Sequence, residues 1–190
     1  MTRSRVYIAL VHHPVLDRAG NVVTTAVTNL DVHDFSRLAR SYGLGGFLLI
    51  TPILAQRELV EHLLTHWRHG RGKDRVPKRA VALWTCTVLG SIQDAQAHIR
   101  RACGGAPRIW ATGARRRECA RIIDYAEAGE AIREAVEPTL ILYGTGHGLA
   151  DTAFEVSDSV LAPLREHSDY NHLSVRTAAA ISLDRLFGES

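Results

Sequence analysis

A glycine-rich segment in the last third of the chain has the residue types that a flat ligand needs at a strand end. The apolar run 140–143 is followed by Gly144, Gly146 and Gly148. Glycine permits sharp bends and leaves main-chain N–H and C=O groups open to a ligand that a side chain would keep away. An ordinary tight turn explains the same glycines. A dinucleotide-binding fingerprint is disfavoured, because GTGHGL departs from GxGxxG and falls late in the chain.

Histidines at two places could take part in chemistry. His62, His66 and His69 are spaced i, i+4 and i+7, so on a helix they share one face that could hold a transition metal. No carboxylate accompanies them at metalloprotease spacing, so a solvated stripe is favoured and no metal is expected. His12 and His13 follow an apolar run and precede a proline, where they could line a base-binding pocket or be polar loop residues.

The basic residues are concentrated in two segments. The chain carries a formal net charge of +3, with a pI of about 9.0, which permits a polyanionic partner without requiring one. Segment 68–79 has one acid, Asp74, among the bases Arg68, Arg71, Lys73, Arg75, Lys78 and Arg79. The second cluster is Arg115, Arg116 and Arg117. Both segments are either solvated surface or nucleic-acid contacts.

Composition places the chain among globular proteins. Its 190 residues suffice for one substantial core and are few for two, so residues 1–190 are expected to form a single domain. Hydrophobic residues make up 46% and charged residues 23%, which excludes a disordered or fibrous chain. No apolar run approaches the roughly 20 residues that span a bilayer, so an intracellular, cytoplasmic protein is expected. Cys86, Cys103 and Cys119 are odd in number and far apart, and are expected to be reduced.

An alternation of strands and helices must position these segments. Short apolar runs predict buried strands at 6–11, 47–50, 81–88, 109–111, 140–143 and 160–162. Helical spacing predicts helices at 31–42, 55–67, 91–103, 124–136 and 174–187, with Ser91 and Asp94 capping the third and Gly104 ending it. The alternation predicts an α/β fold, with a mostly parallel sheet of about six strands and helices on both faces. Ligands of such sheets bind beyond the carboxyl ends of the strands.

Two ordered segments carry a family resemblance. TLILYGTGHGL is an apolar strand with a glycine turn, and after one more strand a polar loop leads into NHLSVRTAAAI, the start of a helix rich in alanine. This order resembles the two C-terminal motifs of the SPOUT RNA methyltransferases. The resemblance implies a C-terminal trefoil knot, S-adenosylmethionine (SAM) bound in a bent form mainly by main-chain groups, and a homodimer packed across these helices.

The resemblance also implies, by position, which residues bind the cofactor, and it implies an RNA substrate whose contacts are expected in the two basic segments. The cofactor-binding residues would be Thr112, Gly113, Tyr143, Gly144, Thr145, Gly146, Gly148, Leu149, Leu161, Pro163, Leu164, Asn171, His172, Leu173, Ser174 and Val175. The substrate would be RNA, either tRNA or rRNA. Its contacts would be Arg68, Arg71, Lys73, Arg75, Arg115, Arg116 and Arg117.

A third segment, residues 29–43, is similar to the family's first motif, in which an arginine on the first helix precedes a glycine. Arg37 and Gly43 match that spacing. The resemblance implies that Arg37 positions or activates the methyl acceptor. The residues beside it would be Asn29, Asp31 and His33, and Asp169 is the alternative proton acceptor.

Departures from the family pattern leave the methylated atom open between base and ribose. Asp31 stands where ribose-methylating members usually have Asn, and NHLSV has one residue more between Asn and Ser than their pattern. Its Asn-His pair is similar to the tRNA guanine-N1 branch. Two other functions remain: a binding module that has kept the fold without turnover, and a nucleotide-binding oxidoreductase.

Overall fold

The computed structural model describes residues 2–116 and 121–188. Arg117, predicted to contact RNA, and Cys119 lie outside the described residues. The strands are β1 (Val6–Val11), β2 (Val15–Leu16), β3 (Val22–Val23), β4 (Gly46–Ile50), β5 (Cys86–Leu89), β6 (Arg108–Ala111), β7 (Ile122–Ile123), β8 (Thr139–Gly144) and β9 (Ser159–Leu161). The helices are α1 (Asn29–Ser41), α2 (Leu54–His69), α3 (Arg71–Arg75), α4 (Pro77–Leu83), α5 (Ile92–Cys103), α6 (Tyr125–Glu134), α7 (Asp151–Glu155) and α8 (Val175–Phe187).

Seven strands form one parallel sheet in the order β5-β4-β1-β8-β6-β9-β7, and β2 pairs with β3 in a separate antiparallel hairpin. All six residues of β1 are buried, because helices cover both faces of the sheet. Side chains alternate between the faces: Ile8 and Leu10 pack with α1, α2, α4, α6 and α8, whereas Ala9 and Val11 pack with α5 and α7. The predicted α/β fold with helices on both faces is confirmed.

The predicted strand at 81–88 was wrong in its first half, and the predicted sheet was one strand short. Residues 77–83 form α4, which begins with Pro77 at its first turn and buries Ala80 and Leu83 at helical spacing. The two-residue strand β7 is too short to give a sequence pattern. In contrast, the Ser91 cap is confirmed: the Asp94 N–H donates to its Oγ (3.0 Å), and Gly104, with φ +78°, ends α5.

Within the part of the chain that the structure describes, no helix combines the length and the apolar composition that crossing a membrane would need.

Candidate functional site

Three strand exits converge on one edge of the sheet. Because β8, β6 and β9 are neighbouring parallel strands, the loops that follow them lie side by side at their carboxyl ends. The loop before α8 joins them, since Asn171 Nδ2 donates to the Ala114 carbonyl oxygen (2.6 Å) and the Arg116 guanidinium pairs with Glu166. The structure thus brings together the four segments that were predicted to cradle the cofactor.

The glycine turn after β8 is folded against the β2–β3 hairpin. The His147 N–H donates to the Leu16 carbonyl, and the Leu16 N–H donates to Gly148 (both 2.9 Å). A Cβ on Gly146, whose φ is +59°, would lie 2.8 Å from the Leu16 oxygen. A Cβ on Gly144 would lie 2.5 Å from the Leu149 nitrogen. These glycines are therefore required by the chain's own tight turn, one of the two interpretations that the sequence left open.

The side chains at the converging loops divide into buried and accessible ones. Tyr143, Leu149, Leu161 and Pro163 are buried, and the Thr112 hydroxyl is bonded to the Leu142 carbonyl (2.8 Å). Burial also raises the pKa of the Tyr143 phenol. The remaining side chains here are half-buried or exposed: Thr145, Leu164, Asn171, His172, Leu173, Ser174 and Val175.

Several main-chain donors face no partner in this region. Among the described residues, the N–H groups of Gly113, Gly146, His172 and Leu173 form no hydrogen bond. They belong to three of the four segments, and Gly113 leaves room for close approach because the nearest atom to a Cβ there would be 3.5 Å away. The site therefore fits a ligand that is recognised by main-chain hydrogen bonds, which is the mode of SAM binding that the resemblance implies.

A buried polar chain connects the glycine turn to β1. The Thr145 hydroxyl donates to the Val11 carbonyl (3.1 Å), Thr25 and Thr145 share a hydrogen bond (2.5 Å), and His12 Nδ1 bonds to Thr25 (3.0 Å). Each hydroxyl has one hydrogen to donate. Because Thr145 donates its hydrogen to the Val11 carbonyl, it accepts from the Thr25 hydroxyl, and Thr25 in turn accepts from the Nδ1–H of His12. Its Nε2 is then a buried acceptor without a protein partner.

The environment of His12 keeps its ring neutral. Burial lowers the pKa of His12 to about 4, and nearby Asp31 opposes this shift. Since His12 is fully buried, its predicted alternative role in lining a base-binding pocket is wrong. It forms part of the support beneath the glycine turn.

Asp31 and Arg176 join the start of α1 to the start of α8. Arg176 Nη1 donates to Asp31 Oδ1 (2.7 Å), and the Thr28 hydroxyl donates to Asp31 Oδ2 (2.6 Å). Arg176 Nε also lies 3.5 Å from Asp34 Oδ2. Asp31 is only 4% exposed, so its carboxylate is an internal anchor and is not open to a substrate.

Arg176 was missed by the sequence analysis, although it lies within NHLSVRTAAAI. A signal was present: a cation in the first turn of a helix opposes the helix dipole and therefore calls for an acidic partner. The partner could not be named from the sequence, because Asp31 lies at the other end of the chain.

The other residues of the first motif point to different surroundings. Arg37 has a side chain that is 63% exposed and lies 3.7 Å from Asp34. His33 packs edge-on against Trp67 (5.3 Å between ring centroids), and its pKa is lowered by burial and by Arg79. Asn29, the first residue of α1, is exposed. The structure therefore does not gather Arg37, His33 and Asp31 around one point.

Two residues of the loop before α8 differ in availability. Asp169 is exposed and forms no ion pair among the described residues. Ser174 is the N-cap of α8, and its Oγ accepts from the Thr177 N–H (3.2 Å). Asp169 is thus accessible to solvent, whereas Ser174 caps the helix.

The basic segment 68–79 is helical, and its members have different roles. Arg68 donates from Nε and Nη2 to the Leu83 carbonyl (3.2 and 2.8 Å) and from Nη2 to Cys86 (2.5 Å). Arg68 therefore anchors the start of β5, and the prediction of an RNA contact is not supported for it. The exposed residues of α3 are the bases Arg71, Lys73 and Arg75 and the acid Asp74, and Arg115 and Arg116 are exposed after β6.

The histidines of α2 contact aromatic rings. His66 and His69 lie edge-on to Trp67 and Trp84, at 5.7 and 5.2 Å between ring centroids. Among residues 2–116 and 121–188, no group of three His, Cys, Asp or Glu side chains could hold a metal ion. His66 and His69 are thus part of an aromatic surface, whereas His62 is exposed.

Comparison with known proteins identifies the class. Residues 5–188 match a family described as SAM-dependent RNA methyltransferase. This match covers nearly the whole chain, and the chain belongs to that family. The predicted class and the predicted cofactor, SAM, are confirmed.

Two relatives show how the chain occurs in other proteins. It is 40% identical over 185 residues to a tRNA (guanine-N(1)-)-methyltransferase of Oleidesulfovibrio alaskensis, with 97% of the chain and 42% of that protein covered. It is 32% identical over 190 residues to an uncharacterized protein of Aquifex aeolicus, with 100% of the chain and 92% of that protein covered. The chain therefore spans about two fifths of the first relative and nearly all of the second.

Solved structures share the fold at low identity. A putative methylase family protein of Neisseria gonorrhoeae superposes with a TM-score of 0.68 at 13% identity, covering 100% of this chain and 84% of that one. The SpoU methyltransferase AviRb of Streptomyces viridochromogenes, solved with AdoMet, gives a TM-score of 0.56 at 14% identity, covering 95% and 56%. These similarities confirm the predicted fold class.

Proposed function

We propose that this chain transfers a methyl group from SAM to RNA, with tRNA as the first substrate to test. The observation that carries the proposal is the convergence of the loops after β6, β8 and β9 with the loop before α8, where main-chain donors are free, in a chain of this family. The name of the Oleidesulfovibrio relative favours tRNA. Since this chain matches only 42% of that protein, guanine-N1 methylation is one candidate activity for the chain.

In this proposal the cofactor lies on the main chain of the converging loops. Gly113, Gly146, His172 and Leu173 would supply N–H donors. Bound SAM supplies a methyl group activated by its sulfonium. The protein then has to hold the acceptor in line with that methyl and to remove its proton. Such placement alone can supply much of the rate, since well-oriented reactants reach effective molarities on the order of 10⁵ M or more.

The roles of the polar residues follow from their surroundings. Arg37 is exposed on α1 and would position the acceptor, with Asn29 and His33 on the same helix face. Asp169 would accept the proton, because it is exposed and unpaired among the described residues. Asp31 is better explained as a positioning residue, since Arg176 and Thr28 occupy its oxygens.

The proposal extends to architecture and assembly. We propose that residues 1–190 form one methyltransferase domain, which agrees with a relative that is matched over 92% of its length. A C-terminal trefoil knot is supported by the contacts of Asn171 and Arg116, which hold the loop before α8 against the loop after β6. A homodimer is supported by the exposed apolar residues Leu30, Leu173 and Tyr170, which flank the starts of α1 and α8.

RNA would reach the site over the exposed bases. The proposed contacts are Arg71, Lys73, Arg75, Arg115 and Arg116, with the apparent affinity falling steeply as salt is added. An affinity that does not change with salt would exclude these phosphate contacts.

Calorimetric titration with SAM, followed by methyl transfer from labelled SAM to separate tRNA and rRNA fractions, tests the proposal. Saturable SAM binding and labelling of one fraction are expected. NAD serves as the control ligand, and NAD binding without SAM binding would contradict the proposal. Binding without labelling of any fraction would identify an inactive binding module.

The variant Arg37→Ala tests the acceptor role in the same two assays. Labelling should be abolished, while the calorimetric affinity for SAM should stay within about twofold, because Arg37 lies on α1 and not in the cofactor loops. Equal loss of both would place Arg37 in cofactor binding instead. Digestion of the labelled RNA to nucleosides then distinguishes base from ribose methylation.

A further inference from the structure

The surface around α3 and α4 combines an exposed tryptophan with Arg and Lys side chains that form no ion pair among the described residues. Trp84, which follows α4 directly, is 55% exposed, and Val76 before α4 and Val81 within it are 40% and 46% exposed. An exposed indole forgoes a large part of the burial that usually stabilises this side chain. Exposed apolar groups that are contiguous and rimmed by polar residues mark interaction sites.

The Trp84 ring is held in place from inside the protein. The Arg68 guanidinium carbon lies 5.1 Å from the ring centroid, and three hydrogen bonds to the Leu83 and Cys86 carbonyls fix that guanidinium. His69 meets the indole edge-on, at 5.2 Å and an interplanar angle of 89°. A ring fixed in this way loses little conformational entropy when a planar group stacks on it.

The exposed charges of α3 and α4 are mostly positive, as binding of a phosphate backbone requires, and Asp74 is the one exposed acid among them. Arg71, Lys73, Arg75 and Lys78 are exposed, and none forms an ion pair among the described residues. Lysine is depleted in the cores of protein–protein interfaces, whereas bases interleaved with aromatic rings are typical of surfaces that bind single-stranded nucleic acid.

The same surface continues to α1. The Arg79 guanidinium lies 5.2 Å from the Trp67 ring centroid, and Trp67 touches His33. Both Arg79 and Arg37 act on His33 to lower its pKa, beside the larger effect of burial. A single-stranded RNA segment that lies along α4 would therefore extend toward α1, the helix that carries Arg37.

We propose that Trp84 is a stacking platform for an unpaired base of the substrate RNA, with α3 and α4 binding the flanking phosphates. The inference rests on the proposed RNA substrate and adds where an unpaired segment of it docks. Stacking on aromatic side chains tolerates any base, so this platform would supply affinity and not sequence specificity.

Fluorescence titration of the full chain with a short single-stranded oligoadenylate tests the platform, with an RNA duplex of equal length as the comparison probe. Trp84→Ala should raise the Kd for the oligoadenylate about tenfold or more, while the Kd for the duplex stays unchanged. Trp84→Phe should keep most of the affinity and abolish the quenching of tryptophan emission, a readout that a purely structural role would not alter. Val136→Ala, at a side chain 78% exposed on α6's trailing loop, is the control.

Charge-reversal variants distinguish the contribution of the basic side chains from that of the Trp84 ring. Lys78→Glu should weaken oligoadenylate binding and lower its salt dependence, whereas Arg101→Glu on α5, on the other face of the sheet, should do neither. Unchanged affinity and quenching in both Trp84 variants would overturn the platform, even if SAM binding and methyl transfer are intact. If the wild-type protein binds no RNA and labels none, the platform and the proposed function both fail. If the Trp84 variants lost a protein partner of this chain while their RNA affinity was unchanged, the surface would be a protein-docking surface, and the platform would also be overturned.

Discussion

Replacing Arg176 by Ala should destabilise the protein far more than replacing an arginine on an exposed ion pair. Asp31 has a side chain that is 6% exposed, and Arg176 supplies its only guanidinium contact among the described residues. Removing one member of a buried pair costs about 3–5 kcal/mol, because the other charge is left without compensation. The Arg176 side chain is 32% exposed, so water can partly replace it. We expect the free energy of unfolding to fall by about 2–3 kcal/mol.

A double-mutant cycle in urea isolates the pair. Asp31→Asn removes the charge, so the double variant Asp31→Asn/Arg176→Ala should be more stable than the sum of the single losses by about 1–2 kcal/mol. Arg121→Ala is the matched control, since Arg121 lies 3.5 Å from Glu127 with both side chains more than half exposed. It should cost less than about 1 kcal/mol.

Two results would refute this reasoning. The first is a loss of unfolding free energy in Arg176→Ala that is no larger than the loss in Arg121→Ala. The second is a double variant whose loss equals the sum of the two single losses to within about 0.5 kcal/mol. Because Arg176 follows the loop that is proposed to hold SAM, the same variant should also weaken SAM binding in calorimetry. Loss of SAM affinity without loss of stability would mean that Arg176 contacts the cofactor directly.

Two further predictions concern the support of the site. The pKa of His12 is about 4 in the folded chain and about 6.5 in the unfolded chain, so between these values the unfolded chain binds a proton that the folded chain does not. The contribution of His12 to the free energy of unfolding is therefore complete above about pH 6.5, and up to about 3 kcal/mol of it is lost as the pH falls toward 4. Urea unfolding of His12→Gln should lack this part of the pH dependence. An unchanged pH profile in the variant would contradict the prediction. Gly146→Ala should lower the free energy of unfolding by about 1–3 kcal/mol more than Gly20→Ala, since both have positive φ but only Gly146 meets a carbonyl oxygen at 2.8 Å. SAM affinity should fall in the first variant only, and equal effects of the two would mean that the contact with Leu16 is unimportant.

The elements that the sequence predicts well are those with long, regular patterns. β1 is apolar along its whole length because it is buried on both faces, and α5 has a cap at one end and a glycine at the other. α4 was misread because residues 80–83 form a continuous apolar run that also suits a buried strand. Their helical spacing becomes evident only from the packing against α1 and α2.

The site could be located from the sequence, but its internal contacts could not. The glycine turn and the loop before α8 follow predicted strands, and parallel order brings their ends to one edge. The pairing of Asp31 with Arg176, and of Thr25 with Thr145, depends on which strands are neighbours. Since the glycine turn follows β8, which pairs with β1 although the two strands are far apart in sequence, these contacts carry no local signal.

The position of β1 between β4 and β8 has a consequence for synthesis of the protein. β1 leaves the ribosome before its partner β8, because residues 12–138 lie between the two strands. At about 5–20 residues per second, one edge of a wholly apolar strand waits on the order of ten seconds for its neighbour. Nascent chains should therefore need protection by chaperones during this interval. A message that ends before β8 would yield a product with neither a closed sheet nor the hydrogen bond that joins Thr25 to the glycine turn.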